Sequence, residues 1–120
     1  MSESTGVQLA RARIEPEKVD RVREWYAELE RRESEVRAAL DHEGVYTETA
    51  FVHEVDDTAY LHVYMEADDV QAADEAGDEE QFEIHEEHHE VLRETLAGEF
   101  VELESIGHFT NPDLRGGDDD

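Results

Sequence analysis

The segment from Val45 to Ala67 constrains the fold more than any other part of the chain. Two β-rich runs, Val45 to Val55 and Thr58 to Ala67, are separated only by Asp56-Asp57, the pattern of a tight two-residue hairpin. Such a turn fixes the register. Val55 then opposes Thr58, Val52 opposes Leu61, Phe51 opposes His62 and Thr49 opposes Tyr64, and opposed residues share a face. One face carries Glu48, Ala50, Val52, Leu61, Val63 and Met65, and the other Thr47, Thr49, Phe51, His53, Tyr60, His62, Tyr64 and Glu66. The aliphatic face is expected to meet a second copy of the sheet, because a large uncovered apolar face is not left to solvent. The aromatic and polar face suits the wall of a wet pocket.

The rest of the chain reads around this hairpin. Val7 to Ile14 is a strand closed by Pro16, which opens a helix. That helix runs to about Glu43 and stops at Gly44. Its apolar residues Val19, Val22, Tyr26, Leu29, Val36 and Leu40 keep a three-four spacing interrupted only at Glu33, a narrow stripe that packs on one surface. A short acidic helix starts near Asp69 and breaks at Gly77, a second long helix spans about Asp78 to Ala97, and Phe100 to Phe109 is a last strand. The order β-α-β-β-α-β predicts an α+β, ferredoxin-like fold with a four-stranded antiparallel sheet and its helices on one face. Residues 1–6 are expected to be a disordered tail, 7–110 the single domain and 111–120 an acidic tail. The uncovered face predicts a homodimer that closes as a dimeric α/β barrel.

Charge limits the partners. The 120 residues include 35 acidic and 10 basic side chains, a formal net charge of -25. A field this negative repels polyanions, so a nucleic-acid partner is not expected. Lys18 is the only lysine among the basic residues. Short acids in place of long lysine stems lower the exposed apolar surface that concentrated salt makes adhesive. The composition therefore predicts a protein adapted to a salt-rich cytoplasm, where carboxylate repulsion is screened to ~3 Å at 1 M salt. The chain has no cysteine, which removes thiolate chemistry and disulfides. No apolar run approaches the ~18 residues of a membrane span, so no membrane partner is expected.

The stretches Arg23-Glu24-Trp25-Tyr26, Gly44-Val45-Tyr46-Thr47-Glu48-Thr49-Ala50-Phe51 and Tyr64-Met65-Glu66-Ala67 resemble an uncharacterised haloarchaeal family, a domain of unknown function. From Val7 to Pro112 the pattern is also similar to the dimeric α/β-barrel group of rhamnose mutarotases, antibiotic-biosynthesis monooxygenases and haem-degrading monooxygenases. That resemblance implies a ligand between the sheet and the helices of one protomer. The histidine that mutarotases carry on the first helix has no counterpart here, since no histidine precedes His42. Tyr26 stands in that region as a proton donor.

Candidate site residues follow from the faces. On the second long helix Ile84, Val91, Leu92, Thr95 and Leu96 share an arc with His85 and His88, while Glu83, Glu86, Glu87, Glu90 and Glu94 lie opposite. His85 and His88 are thus expected to be shielded, either as satisfied core or pocket-wall histidines or, on a sharper reading, as groups that meet His62, Tyr64 and Glu66 across a cavity beneath the helices. A neutral imidazole beside a tyrosine can shuttle protons. The literal H-E-x-x-H of His85 to His89 has Glu87 and His88 at its middle positions, and no metal or other cofactor is expected from it. Glu48 is a carboxylate on the aliphatic face and needs a partner, with Arg11 or Arg13 of the first strand expected to reach it. His62, Tyr64, His88 and Tyr26 are the candidate catalytic groups, and His85, Glu66, Glu48, Arg11 and Arg13 the candidate ligand-binding groups. Two classes of function stand. One is a small-molecule site with mutarotase- or isomerase-like proton transfer, or less favourably a cofactor-free monooxygenase. The other is a non-catalytic structural or partner-binding dimer.

Overall fold

A computed structural model describes residues 6–79, 82–111 and 113. Strands β1 (Val7–Ile14), β2 (Val45–Val55), β3 (Thr58–Ala67) and β4 (Val101–Leu103) form an open antiparallel sheet in the order β2-β3-β1-β4. The helices are α1 (Val19–Arg31), α2 (Glu33–Glu43), α3 (Val70–Asp78) and α4 (Glu83–Thr95), with a 3-10 turn at Pro16–Lys18 leading into α1.

The hairpin has the register derived above, from Val55 opposite Thr58 to Thr49 opposite Tyr64. Its turn residues take φ of 49° at Asp56 and 65° at Asp57. Two consecutive left-handed residues are the type I′ geometry, whose twist matches that of the flanking strands, and aspartate is among the side chains that tolerate it. Near the start of β2 the pairing shifts between Val45 and Thr47. This bulge turns Tyr46 outward and lets Val45 join the buried face.

The buried face is the aliphatic one. Ile14, Val22, Ala59 and Leu61 form one core cluster, flanked by Val19, Tyr26, Ala50, Val52, Val63, Leu92 and Leu96. Val45, Met65, Ala67 and Ala73 form a second, flanked by Leu40 and Val70. All four helices therefore cover the face expected to meet a second copy, and the aromatic and polar face is the open one. The reason is complementarity of dryness: the apolar stripes of α1 and α4 need an aliphatic floor, which His62, Tyr60 and Thr49 cannot supply without burying their polar atoms.

The expected first helix is two helices. At Arg32 (φ −106°, ψ 41°) the chain leaves the helix and re-enters it, with the Arg32 amide bonded to the Glu28 and Leu29 carbonyls. The interruption of the apolar spacing at Glu33 marks this place. Breaking there re-aims α2, so that Ala39 is buried and Val36 and Leu40 are half-buried. The Arg32 side chain pins the junction, donating to Glu28 and Glu35 and to both carboxylate oxygens of Glu87 on α4. These bonds hold the Glu35 and Glu87 carboxyls below their ordinary range. Glu87 is thus half-buried and paired, whereas Glu86 and Glu90 are exposed as expected. Helix α4 starts at Glu83 and ends at Thr95, where Leu96 forms a bridge with Ile14.

The last strand is shorter than expected. Only Val101–Leu103 pairs with β1, and residues 104–111 continue without regular structure. Ile106 and Phe109 stand almost fully exposed, at 92% and 93%.

Candidate functional site: a polar seam beneath the helices

Glu48 lies directly opposite Met65 and follows Ala50 and Val52 along the helix-covered face of β2. It thus sits where the two core clusters adjoin, and polar groups from three helices gather nearby. Tyr26 comes from α1 and packs against the first cluster. His85 and His88 come from α4, and Glu43 is the last residue of α2, before Gly44 turns the chain with φ 73°. A left-handed C-cap of this kind is where glycine ends helices.

Glu43 and His85 form a buried pair. His85 Nε2 lies 2.8 Å from the Glu43 carboxylate, and the two side chains are 8% and 13% exposed, respectively. The Phe82 amide donates to His85 Nδ1 at 3.3 Å, so Nδ1 is the acceptor and Nε2 carries the proton given to Glu43. Burial pushes the Glu43 carboxyl up to about 7; the His42 and His89 charges oppose the rise and Asp74 adds to it.

His88 is fixed from the other side. Trp25, only 2% exposed, donates its indole N–H to His88 Nδ1 at 2.9 Å. The two rings stack with centroids 6.1 Å apart. Burial, with lesser contributions from His89 and His85, lowers the His88 imidazole to about 4, so it is neutral at physiological pH. Tyr26 meets His88 edge-on at 6.0 Å.

The Tyr26 hydroxyl is buried and has no hydrogen-bond partner among the described residues. Burial first, and the Glu48 charge second, raise it well above the ordinary phenol range. Leaving a buried hydroxyl unpaired costs about 1–3 kcal/mol. Glu48 is itself pushed up to about 7, first by burial and then by the Glu43 and Asp74 charges. Glu48 is nonetheless an exposed residue; water at the carboxyl limits the size of the rise but not its sign. A carboxyl close to neutrality, an orphaned hydroxyl and a neutral imidazole are the components of acid–base chemistry.

The structure separates the other candidates from this group. Arg11 pairs with His62 and Arg13 with Tyr60 across the β1–β3 ladder, on the open face, so neither reaches Glu48. Arg11 instead lies over the Tyr60 ring at 4.6 Å. His62, Tyr64 and Glu66 share that open face, and the expected meeting with His85 and His88 does not occur. The His62 imidazole is lowered by burial, Arg11 and His53. Tyr64 and Glu66 line a separate open groove of about 690 Å³ with Thr47, His108 and Phe109. His108 Nε2 stands 4.0 Å from the Glu66 carboxylate. Among the described residues no group of three or more metal-ligating side chains is placed to hold a metal ion.

Two participants, Trp25 and Glu43, escape a reading of the sequence. Trp25 reads as packing, and only its position beside Tyr26 hints at more. Glu43 reads as one acid among many, and its single signal is its place immediately before the helix-ending glycine.

The arrangement defines an α+β protein with a four-stranded antiparallel sheet, helix-covered on one face, and an ionisable seam beneath the helices. The chain belongs to a family of unknown function, DUF6176, whose model matches residues 5–113. No curated protein matches it.

Proposed function

We propose that the protein binds a small carbonyl or sugar-like compound between the sheet and the helices, and moves a proton on it. Glu48 is the base and Tyr26 the hydroxyl donor. The observation that carries this reading is the Tyr26 hydroxyl, buried without a partner among the described residues and within reach of the Glu48 charge. Buried polar groups are almost always satisfied, and the exceptions concentrate where function needs them. The order β2-β3-β1-β4 supports a ferredoxin-like βαββαβ topology, and the place of the seam agrees with the ligand position in the dimeric α/β-barrel group that the sequence resembles. The test uses Trp25, the only tryptophan, as reporter. A panel of aldoses and small β-dicarbonyl compounds in molar KCl should include members that shift the melting temperature and the Trp25 emission. Tyr26→Phe and Glu48→Gln should abolish those shifts. A panel without effect, or hits indifferent to both substitutions, would sink the proposal.

The same reading makes the protein a homodimer of a salt-accumulating cytoplasm, joined through the open sheet face. Phe51 and Val101 are 54% and 58% exposed, and Ile106 and Phe109 stand out in the segment after β4; an apolar set of this size on one small domain favours a covering partner. Light scattering in molar KCl should give twice the monomer mass of 13.8 kDa. A clean monomer under those conditions removes the barrel.

A further inference from the structure

Trp25 and His88 carry an inference that rests on the proton-transfer reading and narrows its substrate. The indole N–H donates to His88 Nδ1 at 2.9 Å, and a nitrogen that accepts this bond carries no proton. The ring proton is therefore on Nε2, and no described group hydrogen-bonds that atom. Tyr26, edge-on to the same imidazole, holds the other unengaged donor, its O–H. It also lies within the electrostatic reach of Glu48. Two neutral donors in ring contact, one of them within reach of a carboxylate, are poorly suited to a cationic ligand and well suited to an oxygen that gains negative charge.

We infer that Trp25 locks His88 as a neutral Nε2–H donor, and that His88 and Tyr26 together bind the carbonyl oxygen of an enolisable compound. Glu48 takes the proton from the carbon beside that carbonyl. The C–H electron pair becomes the C=C bond of the enolate, and the carbonyl π pair moves onto the oxygen held by the two donors. Delivery of that proton by Glu48 to the far carbon of a conjugated enolate completes a double-bond isomerisation, with no oxidant or reductant consumed. His88 can serve as a donor across the neutral range because it does not ionise there, the condition for an imidazole to polarise a carbonyl. Trp25 is a positioning residue, acting through His88.

Long-range 15N–1H NMR of the histidine rings, in molar KCl near neutral pH, reads the tautomer directly. Wild-type His88 should show Nε2–H alone, and Trp25→Phe should give mixed tautomers. A wild-type Nδ1–H form or an imidazolium, or an unchanged tautomer in Trp25→Phe, overturns the lock. The wild-type spectrum decides this even where the variant does not fold. The ligand class is tested with phenol, 4-cyanophenol and 4-nitrophenol as enolate mimics, followed by Trp25 fluorescence. Affinity should rise with phenol acidity and fall about tenfold in Tyr26→Phe, the loss of one such hydrogen bond. Binding of aldoses without binding of any phenol overturns this inference and leaves the earlier reading standing. Binding of neither, with the Nε2–H tautomer intact, overturns the earlier reading and this ligand assignment together while the lock itself holds.

Discussion

Dialysis from ~2 M to ~10 mM KCl should abolish the cooperative thermal transition of this protein, as the Debye length grows from under 3 Å to ~30 Å. Part of the net charge of -25 is carried on exposed helix faces, where Glu24, Glu30, Glu33, Glu35, Glu83, Glu86, Glu90 and Glu94 all meet solvent. Two carboxylates ~8 Å apart repel by about 0.5 kcal/mol in unscreened water, and many such pairs exist. Four of the ten basic side chains are already committed to single carboxylates or small groups of them: Arg23 to Asp20 and Glu54, Lys18 and Arg21 to Glu94, and Arg32 to three glutamates. The core opposing this repulsion is slender. Five of its buried apolar residues, Ala12, Ala39, Ala59, Ala67 and Ala73, are alanines, which contribute little area each. Domains of this size have about 5–15 kcal/mol of stability to lose. Circular dichroism at the helical minimum, recorded against KCl concentration, is the measurement. An unchanged melting temperature down to ~10 mM would show that the acidity serves a purpose other than salt adaptation.

Glu48→Gln should stabilise the fold at pH 8 and leave it unchanged at about pH 4. The sign follows from the direction of the shift. Burial pushes the carboxyl up to about 7 in the fold from its ordinary 4.5, so the folded state disfavours its charged form. That cost is fully present above about pH 7 and gone below about 4.5. The shift corresponds to at most about 3 kcal/mol, and solvent at the carboxyl reduces this to about 1 kcal/mol. In a domain of this length that is a rise of about 3–5 °C in melting temperature. The loss of the neighbouring charge should also let Glu43 titrate at lower pH, since the two carboxyls repel. His88 contributes the opposite trend, a cost that grows as pH falls from 6.5 to about 4, but it does so equally in both proteins. Melting curves across pH 4 to 8 decide the matter. Equal stability of the two proteins at pH 8 would mean that Glu48 is well solvated and is no base.

The hairpin was fully legible because a period of two and a two-residue turn leave a single register. Strand β1 and the two main helical regions were legible for similar reasons of periodicity and punctuation. The helices cover the aliphatic face of the sheet, not the aromatic and polar one that the pattern suggests. Both faces contain large apolar groups, and the deciding property was the dryness of Leu61, Val63 and Met65 rather than the size of Tyr60, Tyr64 and Phe51. That inversion moved His62, Tyr64, Glu66, Arg11 and Arg13 away from the α4 histidines. Tyr26 and Glu48 could be singled out one at a time, but their common neighbourhood required the break at Arg32, which sets how α2 brings Glu43 towards His85. Phe100 to Phe109 alternates like a strand, yet only three of its residues find a partner on β1. Sequence patterning records the capacity to pair, not the availability of a neighbour.

Strand β2 has one more consequence. It is an edge of the sheet, eleven residues long, and a long edge presents unpaired amides to any extended chain that arrives. Glu48 and Glu54 on the strand, together with the charge of the whole molecule, keep such chains apart. Acid relieves the strain at Glu48, but it also approaches the isoelectric point near 4.3, where that mutual repulsion vanishes. The stabilising effect of acid is therefore confined to a window. Below it, the protein is expected to leave solution as an edge-to-edge aggregate while its helices are still folded.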